Sequence, residues 1–493
     1  METIQKVFSA KNLPFIVKAG IGILLSLLVP VVVSRTIYPF DLGHLEAFCL
    51  MPAEHLLAGK NPFSFAFTPP YSMVTYGPAF YVLLAVGLKI FGFQFWWGRI
   101  LSTLGFAVCV WAVARIAKHL TGDRDAMLAA AFLALAFFPG QTWVAMMRSD
   151  LIALAFSLSA LCLVLTTEKF GAGRLLAVVL LATAAFFTKQ TFLLHVGVIG
   201  LRFLQLGRRR EFAAYAGGVG LLTAGVMFFL DYTSDGGYLW QHFLHARNLP
   251  FGIEILPFQF VQLLKLPTTL VFGAALLIFL VGKPDFLGRA NRADLISALR
   301  RPETLVLFYF AAALAAAVMS AGRIGANINY FLEATFLMAL VFGLIYHDFK
   351  RKSRPALASA LVVLFILGGV VQLVRTLRGE YFRWESRPYY EEVTATAARF
   401  VTPGSVCVSV FPEIARRAGC AYYFDDYAEY TRGWEPSLDA IFDREIKSGK
   451  FPVVIWNDPD FHEKYPEYEP VKMTRALPER FPPPYLYVRK PAP

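Results

Sequence analysis

Long apolar windows separated by short polar turns dominate the first 377 positions of the chain. PFIVKAGIGILLSLLVPVVVS, AMLAAAFLALAFFPGQTWVAM, LVLFYFAAALAAAVMSAG and LASALVVLFILGGVVQLV are almost free of charge. Each runs for about 18 to 23 residues, the length that carries a helix across a bilayer. The pattern predicts spans over 14–34, 76–92, 98–119, 125–145, 150–167, 172–188, 190–206, 211–231, 258–282, 303–321, 329–346 and 355–377. Two interruptions are too polar to span. One is the Pro- and aromatic-rich stretch 35–75, and the other is 232–257, YTSDGGYLWQHFLHARNLPFGIEILP. After about residue 378 the rhythm becomes α/β. A TPG turn leads into SVCVSVF, helical PEIARRAG leads into CAYYFD, and helical SLDAIFDREIKSG leads into FPVVIWND. The expected fold is an all-α polytopic membrane protein of about 11–13 transmembrane helices with a small C-terminal α/β domain. Residues 1–377 form the membrane module and 378–493 the soluble domain.

Composition supports this reading. Only 17% of the 493 residues are charged and 57% are hydrophobic, whereas a soluble domain carries roughly 25% charge. The net charge of +12 does not point to nucleic acid. The basic residues gather in the turns LGRRRE, GRANRADLISALRR and HDFKRKSR, the positive-inside signature of cytoplasmic loops. Those turns place 35–75, 232–257, the SAGRIGANINY connection and the C-terminal region outside. Ends on opposite sides require an odd number of crossings, yet the pattern gives an even one. The segments flanking FFTKQTF are therefore expected to share a crossing or to dip and return. Lys6, Lys11 and Lys18 precede the first span without a small-x-small cleavage site, which reads as an uncleaved anchor. Cys407 and Cys420 can pair if the C-terminal region is extracytoplasmic. Cys49, Cys109 and Cys162 read as small core residues.

The sequence contains no P-loop, HExxH or CxxC, and GGVG at 217–220 lies inside a span, where it reads as helix packing. Chemistry is therefore sought among polar groups near the membrane. In YPFDLGHLEAF, Asp41 and Glu46 admit two readings. Asp41 caps a helix with Glu46, Glu54 and His55 on its wet face, ended by Gly59 and Pro62. Alternatively, Asp41 is a general base at the bilayer boundary. Tyr76 in TYGPAFYVLL is an interfacial anchor or a ligand contact. Arg148 and Asp150 in MMRSDLIAL form a structural pair or line a cavity, and Lys189 in FFTKQTFLL must snorkel, pair or meet an anion. AGRIGANINYFLEATF concentrates Arg323, Asn327, Asn329, Tyr330 and Glu333, with Asn329 and Glu333 on one helical face. Such density is tolerated mainly where polar groups line a cavity. His242 and His245 have metal-ligand spacing but no evident third ligand, so an interfacial helix is the alternative. Arg247 is a candidate phosphate contact.

Taken in order, DLGHLEAFCLMPAEHLLAGKNPF, TYGPAFYVLLAVGLKIFG, RSDLIAL, TKQTFLL and GANINYFLE resemble the GT-C superfamily of polytopic glycosyltransferases, of the protein O-mannosyltransferase and bacterial aminoarabinose transferase type. The resemblance covers about residues 15 to 350, and PGSVCVSVFPEIARRAGCAYYFDD is similar to the outer region of some bacterial members. It implies sugar transfer from a polyprenyl-phosphate donor to a glycan, lipid or protein acceptor at the extracytoplasmic face of a bacterial inner membrane. Asp41 would be the catalytic base and Glu46 a supporting or acceptor-binding acid. Arg247, Arg323 and Lys189 would be candidates for stabilising the departing lipid phosphate. No nucleotide diphosphate leaves, so a divalent metal is allowed but not required, and no other cofactor is implied. The consecutive acidic pair of the protein O-mannosyltransferases is absent, because Leu42 follows Asp41. The acceptor class therefore does not carry over. A lipid or sugar transporter or flippase is the rival reading. It accounts for the spans but not for the acidic outer loop and outer domain.

Overall fold

The computed structural model describes residues 12–43, 46–65, 68–72, 74–167, 169–245, 251–253, 256–257, 261, 266–281, 301–323, 327–352, 354–424, 436–475 and 484–490. Every predicted span contains a helix. In chain order these elements begin with α1 (Leu13–Ile37), α2 (Glu46–Leu57), α3 (Pro78–Phe91), α4 (Trp96–Thr121) and α5 (Arg124–Ala136). There follow α6 (Phe138–Trp143), α7 (Asp150–Thr166), α8 (Ala172–Thr188), α9 (Leu194–Gln205), α10 (Arg209–Tyr232) and α11 (Pro267–Val281). The last membrane-level helices are α12 (Pro302–Ala321), α13 (Leu332–Arg351) and α14 (Pro355–Ala398). Among the described residues, six helices are long and apolar enough to cross a membrane by themselves. The chain is an integral, multi-pass membrane protein.

Three local departures from the predicted pattern shape the site. The span predicted over 125–145 is broken: Phe137 is extended and α6 restarts with Pro139 in its first turn. Proline cannot serve the carbonyl four residues back, and Gln141 Nε2 donates to that Leu135 carbonyl at 2.8 Å instead. The second departure falls at FFTKQTF, where α8 stops and Lys189 turns extended. The 12-residue α9 that follows is roughly 18 Å long, short of the ~30 Å hydrocarbon core. Third, α14 runs unbroken through residue 377 for 44 residues, or about 66 Å. The fall in hydropathy there marks departure from the apolar layer, not the end of the helix.

The largest apolar cluster holds the membrane-level helices together, with α4 packed extensively on α7 and α1 on α14. Beyond α14 comes a five-stranded sheet. Its strands are β1 (Val406–Ser409), β2 (Ala421–Tyr422), β3 (Val453–Trp456), β4 (Tyr468–Val471) and β5 (Tyr485–Arg489). Their order is β2-β1-β3-β5-β4, parallel across β2-β1-β3 and antiparallel beyond. Helices α15 (Pro412–Arg417) and α16 (Pro436–Lys447) lie between strands. The three apolar runs and both helices expected from the sequence are present. Tyrosine-rich β4 and β5 were not anticipated. Cys407 and Cys420 form a disulfide with their Cα atoms 5.7 Å apart.

The sheet domain shares its core with the first loop. Tyr38, Phe40, Leu42 and Tyr71 are buried in the same cluster as Tyr389, Phe411 and Phe424. Arg417 donates to the Pro39 carbonyl at 2.6 Å, Tyr71 N donates to the Tyr423 carbonyl at 2.9 Å, and Arg416 pairs with Glu54 at 2.8 Å. Below them, Arg35 ties α1 to Glu380 of α14 at 2.9 Å and to the Thr142 and Val144 carbonyls at 2.6 and 2.9 Å. The loop carrying Asp41 is thus held from both sides.

Candidate active site

Asp41 caps α2. Its Oδ2 accepts the Glu46 and Ala47 amides at 2.9 and 3.0 Å, and Oδ1 accepts the Gly43 amide at 2.7 Å. Such bonds satisfy helix-start amides that have no intrahelical partner. The cap explains the helix start but leaves Asp41 half-buried rather than sealed. The predicted helix ends at the expected place, with Gly59 at positive φ.

Glu46 does not lie on a wet face. It is fully buried, and Arg99 grips both of its oxygens at 3.1 and 2.6 Å, while the Met147 and Leu42 amides donate at 2.6 and 2.9 Å. Burial alone would raise its carboxyl, yet Arg99 and the amides hold it below the ordinary carboxylate range. With all its acceptor capacity occupied, it is built to fix the loop rather than to exchange a proton. Arg99 also donates to the Arg35, Tyr38 and Phe40 carbonyls.

Several predicted residues converge beneath this loop. Arg148 donates to Tyr76 Oη at 3.0 Å and to the Gly43 carbonyl at 3.1 Å, bridging the loop to the cluster. Lys189 Nζ meets Asp150 Oδ1 at 2.5 Å and lies 5.7 and 5.5 Å from the Tyr76 and Tyr330 ring centres. Asn329 Nδ2 donates to the same Asp150 oxygen at 2.8 Å. A cavity of about 50 Å³ adjoins them, reaching Ser320, Tyr330 and Glu333. Tyr309 donates to Glu333, which joins that carboxylate to α12. Arg148 and Asp150, two residues apart in sequence, therefore do not pair with each other. Each faces a different neighbouring element.

The cluster holds unspent polar capacity. Arg148 Nε, Asp150 Oδ2, Gln190 Oε1 and Asn329 Oδ1 are buried without a hydrogen-bond partner among the described residues. Buried polar atoms are ordinarily satisfied, so a site with several spare donors and acceptors is suited to a polar ligand. Phe186, Leu193, Val219, Met227 and Phe228 line an apolar groove of about 570 Å³ between α8, α9 and α10, with Asp231 at its edge.

The other candidates have different places. Asn327 uses its side-chain oxygen to cap the Ile328 amide at 2.6 Å, and Arg323 is exposed with its backbone bridged to Phe251. Arg247 lies outside the described residues, as does the side chain of His245. His242 is buried and stacked on Tyr238, with Nε2 at 3.1 Å from the Tyr76 carbonyl and Nδ1 at 3.2 Å from the Tyr238 carbonyl. This is a packing role that fixes the Tyr76 backbone. Arg99 and Arg35 were not anticipated. An arginine within a predicted span, as in WWGRILS, was the available signal for Arg99.

Residues 75–230 match the family model described as dolichyl-phosphate-mannose-protein mannosyltransferase. The matched stretch is under half of the chain and contains Tyr76, Arg148, Asp150 and Lys189. No curated protein matches. Among solved structures, the chain is similar to apo ArnT from Cupriavidus metallidurans, with a TM-score of 0.67 and 13% identity over 96% of this chain and 98% of that one. ArnT bound to undecaprenyl phosphate gives a TM-score of 0.66 and 12% identity over 95% and 97%. The chain has the fold of ArnT.

Proposed function

We propose that this chain is an integral membrane glycosyltransferase. It moves a sugar from a polyprenyl-phosphate-linked donor to an acceptor hydroxyl on the extracytoplasmic face, with inversion by general-base catalysis. The observation that carries this reading is the cluster of Lys189, Asp150, Asn329, Tyr76 and Arg148, joined through the Arg148–Gly43 contact to the loop of Asp41.

The chemistry follows from the parts. A departing lipid phosphate needs cations and fixed donors where its charge develops. Lys189, Arg148 and Asn329 provide them, in a site with spare polar atoms. The apolar groove between α8, α9 and α10 suits an isoprenoid tail, and the same fold in ArnT holds undecaprenyl phosphate. Asp41 then takes the proton from the incoming hydroxyl. Its capping bonds orient the carboxylate, so cap and base are compatible roles. Glu46 supports the loop through Arg99. The disulfide agrees with an outer domain in an oxidising compartment. Carbohydrate transfer of this type needs no divalent metal on the leaving group.

Purified Asp41→Asn protein should lose about 10² to 10⁴ in turnover with a polyprenyl-phosphate sugar while still binding undecaprenyl phosphate. Transfer at the normal rate by that variant would remove Asp41 from the mechanism.

A further inference from the structure

Helix α15 brings a second acid against the Asp41 loop. Glu413, in its first turn, is 2% exposed, and its Oε2 is buried with no hydrogen-bond partner among the described residues. The Asp41 backbone N–H is directed at this carboxyl. Two further side chains of the same helix grip the loop. Arg417 donates to the Pro39 carbonyl and lies over the Phe40 ring at 5.4 Å, and Arg416 binds Glu54. The Cys407–Cys420 disulfide encloses the helix, so its three-point hold on the loop is covalently braced.

We propose that Glu413 is a positioning residue for Asp41: a buried acid of the sheet domain whose carboxyl takes the Asp41 backbone N–H and shares the site with the Asp41 carboxylate when the donor binds. This rests on the reading of Asp41 as the base. The other charged and titratable groups around the pair include Arg417 on α15, Tyr390 and Arg383 on α14, Tyr38 in the loop, Arg99 on α4 and Cys49 on α2. Burial, with the Asp41 charge adding to it, pushes the Glu413 carboxyl up to about 8. Both effects favour the protonated form of Glu413. Its ionisation would set a like charge beside Asp41 and repel an anionic donor.

The sign of the linkage is definite. A folded carboxyl raised above its ordinary value contributes stability that is complete below the ordinary carboxyl range and is lost as pH rises from there to about 8. Full-length wild type, Glu413→Gln, Asp41→Asn and the double variant are to be melted in detergent from pH 5 to 9. Wild type should lose stability relative to Glu413→Gln by up to roughly tenfold in the folding constant per pH unit, levelling off above pH 8. In the Asp41→Asn background that gap should shrink. Undecaprenyl phosphate affinity should fall above pH 8 more in wild type than in Glu413→Gln. Glu413→Ala, if destabilised at every pH, separates lost packing from lost proton binding. A gap that is constant with pH, or one that Asp41→Asn leaves unchanged, overturns the inference. Both outcomes are independent of turnover, which tests Asp41 as the base.

Discussion

Arg99 and Glu46 form an ion pair at 2.6 Å with neither side chain exposed, and on this pair rests the loop that presents Asp41. Removing one partner of a buried pair strands the other charge, at a cost of about 3–5 kcal/mol. Glu46→Gln should therefore lower the thermal midpoint markedly. Arg99→Met with Glu46→Leu should recover part of the loss, because no charge is then stranded. Acid should act in the same direction. Glu46 is held below the ordinary range, so its contribution is complete above that range and is lost as pH falls through the depressed value. A Glu46→Gln protein that melts with wild type would sink this account.

Lys189 is caged by Asp150 and two tyrosine rings, and the proposed function puts the lipid phosphate of the donor against it. Lys189→Met keeps much of the stem volume and removes the charge. Undecaprenyl phosphate should bind at least tenfold more weakly, since a charge-assisted bond is worth about 1.5–3 kcal/mol. Asp150→Asn retains an acceptor for Lys189 and should weaken binding less. Isothermal titration in nanodiscs measures both, and equal affinities for wild type and Lys189→Met would exclude Lys189 from the donor site.

Helix positions and the convergence of TYGP, RSDL, TKQT and NINYFLE were legible because intramembrane polar residues are rare and costly. What periodicity could not supply was the direction of each side chain. Glu46 shares its helix with Asp41's cap, yet it points into Arg99, which a loop sequence alone does not reveal. The break at Phe137 was hidden because Pro139 begins a new helix without ending the apolar run. Glu413 carried no signal at all. An acid in FPEIARR is ordinary for a soluble helix, and it becomes notable only where α15 lands on the Asp41 loop.

The disulfide closes a loop with a sequence separation of 13, for which chain entropy gives about 3 kcal/mol. Cys407→Ser with Cys420→Ser should lower the midpoint of the sheet domain and loosen α15. Hydrogen exchange should rise at residues 412–417 and, through Arg417 and Glu413, at residues 39–43. Faster exchange in α15 with an unchanged first loop would show that the helix does not brace Asp41.

Gly77 separates Tyr76 from Pro78 at the point where the chain crosses α8. A Cβ there would lie 2.0 Å from the Phe187 carbonyl oxygen, and the Gly77 amide donates to the Thr188 carbonyl at 3.2 Å. Its backbone is extended, so the requirement is for space and not for a left-handed turn. That close approach brings the Tyr76 ring to Lys189. Gly77→Ala must push the 186–189 backbone outward, an overpacking that costs about 1–3 kcal/mol and pulls the cage apart. Gly171 provides a control, because it too is extended and a Cβ there would meet open space. Gly171→Ala should leave melting and undecaprenyl phosphate binding unchanged, whereas Gly77→Ala should lower both. Identical behaviour of the two variants would mean that the Tyr76–Lys189 approach does not depend on this contact.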